Sequence, residues 1–133
     1  MDAAKIKSVA KQWIDSSDKD FKTMNHLFKT KDYAWSLFVG HLVIEKLLKG
    51  YLVLRTGKEP PFIHNLVKIA EKAGMEVEES QKTLLAIITT FNINARYDNQ
   101  KKEFYRLCTR TYTIEKIKQI KQLRKWIKEK HLN

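Results

Sequence analysis

Cysteine, proline and glycine are scarce in this chain of 133 residues: one cysteine, Cys108, two prolines and four glycines. A single thiol excludes an internal disulfide framework and a multi-cysteine zinc site, and it agrees with a reducing compartment, so a cytoplasmic location is expected. So few turn-forming residues exclude an all-β sandwich of this size and leave helices as the favoured architecture. No apolar run reaches the length of a membrane span, and the opening MDAAKIKS lacks the apolar stretch of an export signal, so neither membrane insertion nor export is expected. The glycine patterns GxxxxGK[ST] and GxGxxG are also missing, so any nucleotide site has to be built from side chains. Four histidines occur without His-x-x-x-His or Glu-x-x-His spacing, and no glycine elbow surrounds a serine. No metal, no cofactor and no catalytic residue is therefore expected.

Acidic residues are the other shortage. Fifteen Asp and Glu stand against 26 Lys and Arg, a net charge of +11 and a pI near 9.7. From Arg96 onward 12 basic residues face 4 acidic ones, so +8 of the +11 lies in the last 38 residues. Net charge also serves solubility, but such local basicity directs attention to polyanions, a nucleotide or RNA, as partners.

What is present is enough for a core. Hydrophobic residues make up 43% and charged residues 31%, a composition for one folded domain over 1–133. Ile6, Val9, Trp13, Phe21, Met24 and Phe28 recur at helical spacing and predict one long helix from Ala3 to about Phe28, weakened around Ser16-Ser17-Asp18. Lys29–Asp32 is a polar break in which Thr30 is a candidate N-cap for the next helix, about Asp32 to Thr56, closed by Gly57. The short connection between these two helices implies an antiparallel pair, and the Pro60-Pro61 loop that follows cannot continue the second helix. A short helix is predicted from His64 to Ala73, stopped by Gly74, and another from about Glu78 to Asn94, whose Ile-Ile-Thr-Thr centre has strand character but no partner strand. After the polar stretch Asn92–Lys102, Phe104, Leu107, Ile114, Ile117, Ile120, Leu123 and Ile127 predict a long amphipathic helix with a basic outer face. The expected fold is all-α, a four-to-five-helix up-and-down bundle. Trp35, Phe38, Phe91 and Trp126 are many large side chains for so small a bundle to hide, which points to a homodimer.

The second helix carries the informative anomaly. His41, Glu45 and Lys49 follow i, i+4, i+8 spacing and share one face, with Lys46 beside them. Such a face could hold a phosphate-bearing ligand, or it could be an ordinary solvated i, i+4 ion pair, and spacing leaves both open. His64, placed at the first turn of a helix, and the Arg96-Tyr97 pair, an Arg fork beside an aromatic ring, are types suited to a phosphate and a base. Cys108 reads as a small core residue.

Taken in order, DYAWSLFVGHLVIEKLLKGYL, TGKEPPFIHNL and NARYD before a basic last helix resemble the HEPN family, named for higher eukaryotes and prokaryotes nucleotide-binding. The resemblance implies a helical bundle, usually a homodimer, that in small prokaryotic members is often encoded beside a separate minimal nucleotidyltransferase. By the same resemblance His41, Glu45, Lys46, Lys49, His64, Arg96 and Tyr97 become candidates for nucleotide or anion binding. Many members are metal-independent ribonucleases with an Arg followed after four to six residues by His. Counted from Arg96, those places hold Lys101, Lys102 and Glu103, so the general base is missing there. Arg124 and His131 have the numerical spacing but sit at the end of the chain, where the family does not place its motif. The expected function is a non-catalytic nucleotide- or nucleic-acid-binding subunit of a toxin–antitoxin-like pair with a nucleotidyltransferase. The alternatives are a ribonuclease toxin with a divergent site and a helical dimerisation module that contacts RNA.

Overall fold

A computed structural model describes residues 1–132. It contains six helices: α1 (Ala3–Lys29), α2 (Tyr33–Thr56), α3 (Leu66–Lys72), α4 (Glu79–Arg96), α5 (Asp98–Leu107) and α6 (Arg110–Lys130), with no strand among the described residues. The all-α class is as expected, with one helix more than the upper count.

α2 is the axis of the molecule, touched by every other helix. Its sequence explains why: Leu37, Val43, Ile44, Leu47, Leu48 and Val53 are fully enclosed and point in several directions around the helix, the pattern of a helix covered on most sides. Gly57 closes it in the left-handed region, φ 67°.

α1 runs without interruption through the weakened Ser16-Ser17-Asp18 stretch. There the apolar period breaks because Ser17, wholly buried, donates to the Val43 carbonyl of α2 at 2.7 Å. Thr30 is not the N-cap of α2 but the C-cap of α1. The Asp32 amide reaches back to the Leu27 carbonyl and the Lys31 amide to the Phe28 carbonyl, the paired bonds of a Schellman ending. Lys31 takes the left-handed position, φ 66°, that glycine usually fills.

α3 begins two residues later than the spacing predicts, capped by Asn65, whose side chain accepts from the Lys68 amide at 3.2 Å. His64 therefore precedes the helix instead of lying in its first turn. α4 opens with a capping box between Glu78 and Gln81 and continues to Arg96, past the expected end at Asn94. The polar stretch beyond it is also helical: α5 is anchored by one buried residue, Phe104, whose ring lies 5.7 Å from that of Phe91. The predicted long last helix is divided at Cys108-Thr109, because the Thr109 hydroxyl accepts from the Tyr112 amide and starts α6 afresh. Cys108 is buried, as expected, and burial pushes its thiol up to about 12.

Of the large residues expected to strain the bundle, Phe91 is enclosed, Phe38 and Trp126 are partly covered, and Trp35 is exposed. Among the described residues no helix is long and apolar enough to cross a membrane.

Candidate functional site: a buried polar network behind an exposed His and Arg

His41, Glu45 and Lys49 lie on the face of α2 that meets the α2–α3 loop and α4, and all three are buried. The solvated-face reading of their spacing therefore does not hold. A carboxylate at that depth needs partners. Glu45 finds them on both oxygens: Oε2 accepts from Lys49 Nζ at 3.2 Å and Oε1 from His64 Nδ1 at 2.8 Å. The Lys49 ammonium also lies 5.5 Å from the centre of the Trp13 ring on α1. Its charge is thus spent inside the protein.

His41 is enclosed completely. Its Nε2 donates to the His64 carbonyl at 3.0 Å, which leaves Nδ1 as acceptor for the Asn92 amide at 3.5 Å. Burial lowers its pKa, while the His64 carbonyl and the Glu45 carboxylate pull it back up, and the net direction is down. The ring is a neutral structural link between α2, the loop and α4.

Asn92 carries the link outward. With its Nδ2 turned to His41, its Oδ1 accepts from the Arg96 guanidinium at 2.7 Å, and its backbone carbonyl accepts from Arg96 Nε at 3.2 Å. Two bonds from one residue hold the guanidinium in one orientation, and Arg96 lies 5.7 Å from the ring centre of exposed Tyr97. His64 is held from behind in the same way: its side chain is 51% exposed while Nδ1 is fixed by Glu45. With Nδ1 donating, Nε2 is left as a hydrogen-bond acceptor on the exposed side of the ring.

The network thus brings six of the seven sequence candidates together. Lys49, Glu45 and His41 form its buried part, and His64, Arg96 and Tyr97 its surface. Lys46 does not join them. It turns toward α1, where Nζ donates to Ser16 and pairs with Asp20 at 2.7 Å.

Asn92 is the member that the sequence reading missed. The available signal was its position four residues before Arg96, the same spacing that joins Glu45 to Lys49. Arg124 and His131 are engaged elsewhere. Arg124 pairs with Asp18 and lies 3.8 Å from the Phe21 ring centre, and His131 packs edge-on against Tyr51 and Trp126.

Comparison with known proteins gives two matches of different kinds. The chain is similar over 90% of its length to TT1696 from Thermus thermophilus, whose crystal structure it overlays across 96% of that chain with a TM-score of 0.77. At 18% identity this likeness concerns the fold alone. No curated protein matches the sequence. The family model of the HEPN domain matches residues 10–130, a span that takes in the whole polar network. On that match the chain belongs to the HEPN family, whose functions are related to nucleotides and RNA.

Proposed function

We propose that this protein binds a nucleotide or nucleic acid on the surface formed by His64, Arg96 and Tyr97, without catalysing a reaction alone. In this reading it acts as a homodimer with a separately encoded minimal nucleotidyltransferase, in a toxin–antitoxin-like pair. The observation that carries the binding reading is the rear support of both polar groups: Glu45 fixes His64 at 2.8 Å and Asn92 fixes Arg96 at 2.7 Å. Donors oriented in advance lose less entropy when an anion arrives, and a fixed guanidinium suits two phosphate oxygens. Tyr97 offers a ring face for a base beside that charge.

Calorimetry with ATP and with a short single-stranded RNA tests the proposal. Arg96→Ala removes a charge-assisted bond of about 1.5–3 kcal/mol and should weaken binding roughly tenfold to a hundredfold. Lys46→Ala should leave it unchanged, since that ammonium is turned toward α1. Equal affinity of wild type and Arg96→Ala would remove this surface from consideration. The partner is tested by its gene: a small reading frame with a GSx10DxD-type motif beside this one, and a complex on co-expression, are expected.

One observation favours a second reading. A half-exposed imidazole whose Nδ1 proton is held by a buried carboxylate has the orientation of a general base. His64 could then take the proton of a ribose 2′-hydroxyl in place of the base missing after Arg96. Binding is preferred because it needs only the charge and ring on this surface, whereas cleavage also needs a group to protonate the leaving oxygen. RNA cleavage by the purified protein that is lost in both His64→Ala and Arg96→Ala would establish the second reading instead.

A further inference from the structure

The basic helix α6 has a second face, at the edge of the core, that the polar network does not use. α1 and α6 both pack on α2 and run antiparallel to each other. Asp18 of α1 meets Arg124 and Lys128 of α6 at 3.1 and 2.7 Å, while Phe28, near the other end of α1, lies under Arg110 at 5.9 Å. Between these two ties a groove of about 420 Å³ opens along α6. Its floor is apolar, built from Phe28, Ile114 and Ile117, and Lys118, Lys121 and Lys125 line it.

Helix geometry makes this a continuous feature. Positions 114, 118, 121 and 125 follow i, i+4, i+7, i+11 and form one stripe about 16 Å long. The neighbouring stripe, Ile117, Ile120, Leu123 and Ile127, is buried in the core, and Ile117 reaches the groove only at its edge. Ile114, 41% exposed, therefore contributes little to the fold from where it sits. On the α1 side, exposed Lys22 and Lys29 lie three residues before and four after Asn25, which also lines the groove.

Charge identifies what could cover it. Asp18 takes up Arg124 and Lys128, but among the described residues Lys118, Lys121 and Lys125 are in no ion pair. No acidic side chain lines the groove. A second copy meeting this face symmetrically would set lysines against lysines, which repel. A nucleic acid would neutralise the lysines but leave the exposed Ile114 against a sugar-phosphate backbone.

We propose that the groove between α1 and α6 is a docking site for an acidic amphipathic helix of a partner protein. The partner's apolar residues at i, i+4 and i+7 fill the floor over Phe28, Ile114 and Ile117. Its Glu and Asp flank that stripe and meet the lysines on either side. The groove is separate from the His64 and Arg96 surface, so this proposal does not depend on the nucleotide-binding reading.

Fluorescence anisotropy tests it with the full chain and a labelled 16-residue helical peptide carrying Leu at i, i+4, i+7 and i+11 and Glu at the flanking positions. Saturable binding is expected in buffer with 150 mM salt. The exposed double variant Lys118→Glu/Lys125→Glu, checked for folding by circular dichroism, should bind at least tenfold more weakly. It should also bind a peptide with Lys in place of every Glu better than wild type does. Lys121→Glu alone is the second variant should the double one fail to fold, and it should weaken binding severalfold. The control Lys68→Glu/Lys72→Glu on α3 should bind as wild type. Four results would overturn the proposal: no binding of the acidic peptide, equal loss in the control, no loss in the groove variants, or a change of oligomeric state in the groove variants by sedimentation. Binding of a 16-nucleotide oligo-U that is lost in the groove variants, with no peptide binding, would assign the groove to RNA instead.

Discussion

Lowering the pH from 7.5 to 5.5 probes the neutral state of His41. The ring has no solvent exposure, one nitrogen donates to the His64 carbonyl, and the other accepts from Asn92. A second proton on Nδ1 would face the Asn92 amide, so the site has no place for it. Burial is the main cause of the lowered pKa, and the charges of His64 and Lys49 act in the same direction, against the His64 carbonyl and Glu45. As pH falls through the ordinary value of 6.5 the unfolded chain takes up a proton at this position before the folded chain does. Stability from this source is therefore complete above 6.5 and lost as pH falls toward the folded value. Each pH unit between the unfolded and folded pKa costs about 1.4 kcal/mol, so from pH 7.5 to 5.5 the loss from this ring is at most about 1.4 kcal/mol. His131, also lowered by burial and by Arg55, adds to the slope in the same sense. The share of His41 is isolated by urea denaturation of wild type and His41→Gln at both pH values. Wild type should lose more stability than the variant, by up to about 1.4 kcal/mol. Equal losses in the two proteins would refute the assignment of a buried neutral imidazole.

Three further outcomes follow from particular contacts. Lys49→Ala leaves Glu45 buried without its cation and should destabilise the protein by about 3–5 kcal/mol, measured by urea denaturation at pH 7.5. A loss under 1 kcal/mol would mean that His64 alone satisfies the carboxylate. Lys31→Gly relieves a left-handed backbone at φ 66° and should stabilise by about 0.5–1 kcal/mol in the same assay, with a loss of stability counting against the Schellman ending. Cys108, buried with its thiol pushed up to about 12, should resist a disulfide reagent at pH 8 in the folded protein and react in denaturant. Equal rates in both states would show that the thiol is accessible in the fold.

The long helices were legible because their apolar residues recur with the helical period. Ile6, Val9, Trp13, Phe21, Met24 and Phe28 outline α1, and Leu84, Leu85, Ile88 and Phe91 outline α4 despite its β-branched centre. α5 was not legible as a separate helix, because it presents one buried residue, Phe104, in an otherwise polar segment, and one residue has no period. Thr30, a candidate N-cap for α2, caps the end of α1 instead, because a hydroxyl at a polar break suits either neighbour. Its place is decided by Lys31 turning left-handed and closing α1 behind it.

The site divides along a similar line. Spacing alone determined that His41, Glu45 and Lys49 share a face of α2, and composition determined that the chain is helical and basic, with its positive charge gathered after Arg96. Only the tertiary structure decided that this face is covered, that Lys46 and Lys49 are spent on Asp20 and Glu45, and that Asn92 joins His41 to Arg96. The physical reason is that helical periodicity gives direction around one helix axis. Burial, and with it the charge state of His41 and the free charge of each lysine, depends on which other helix lies in that direction.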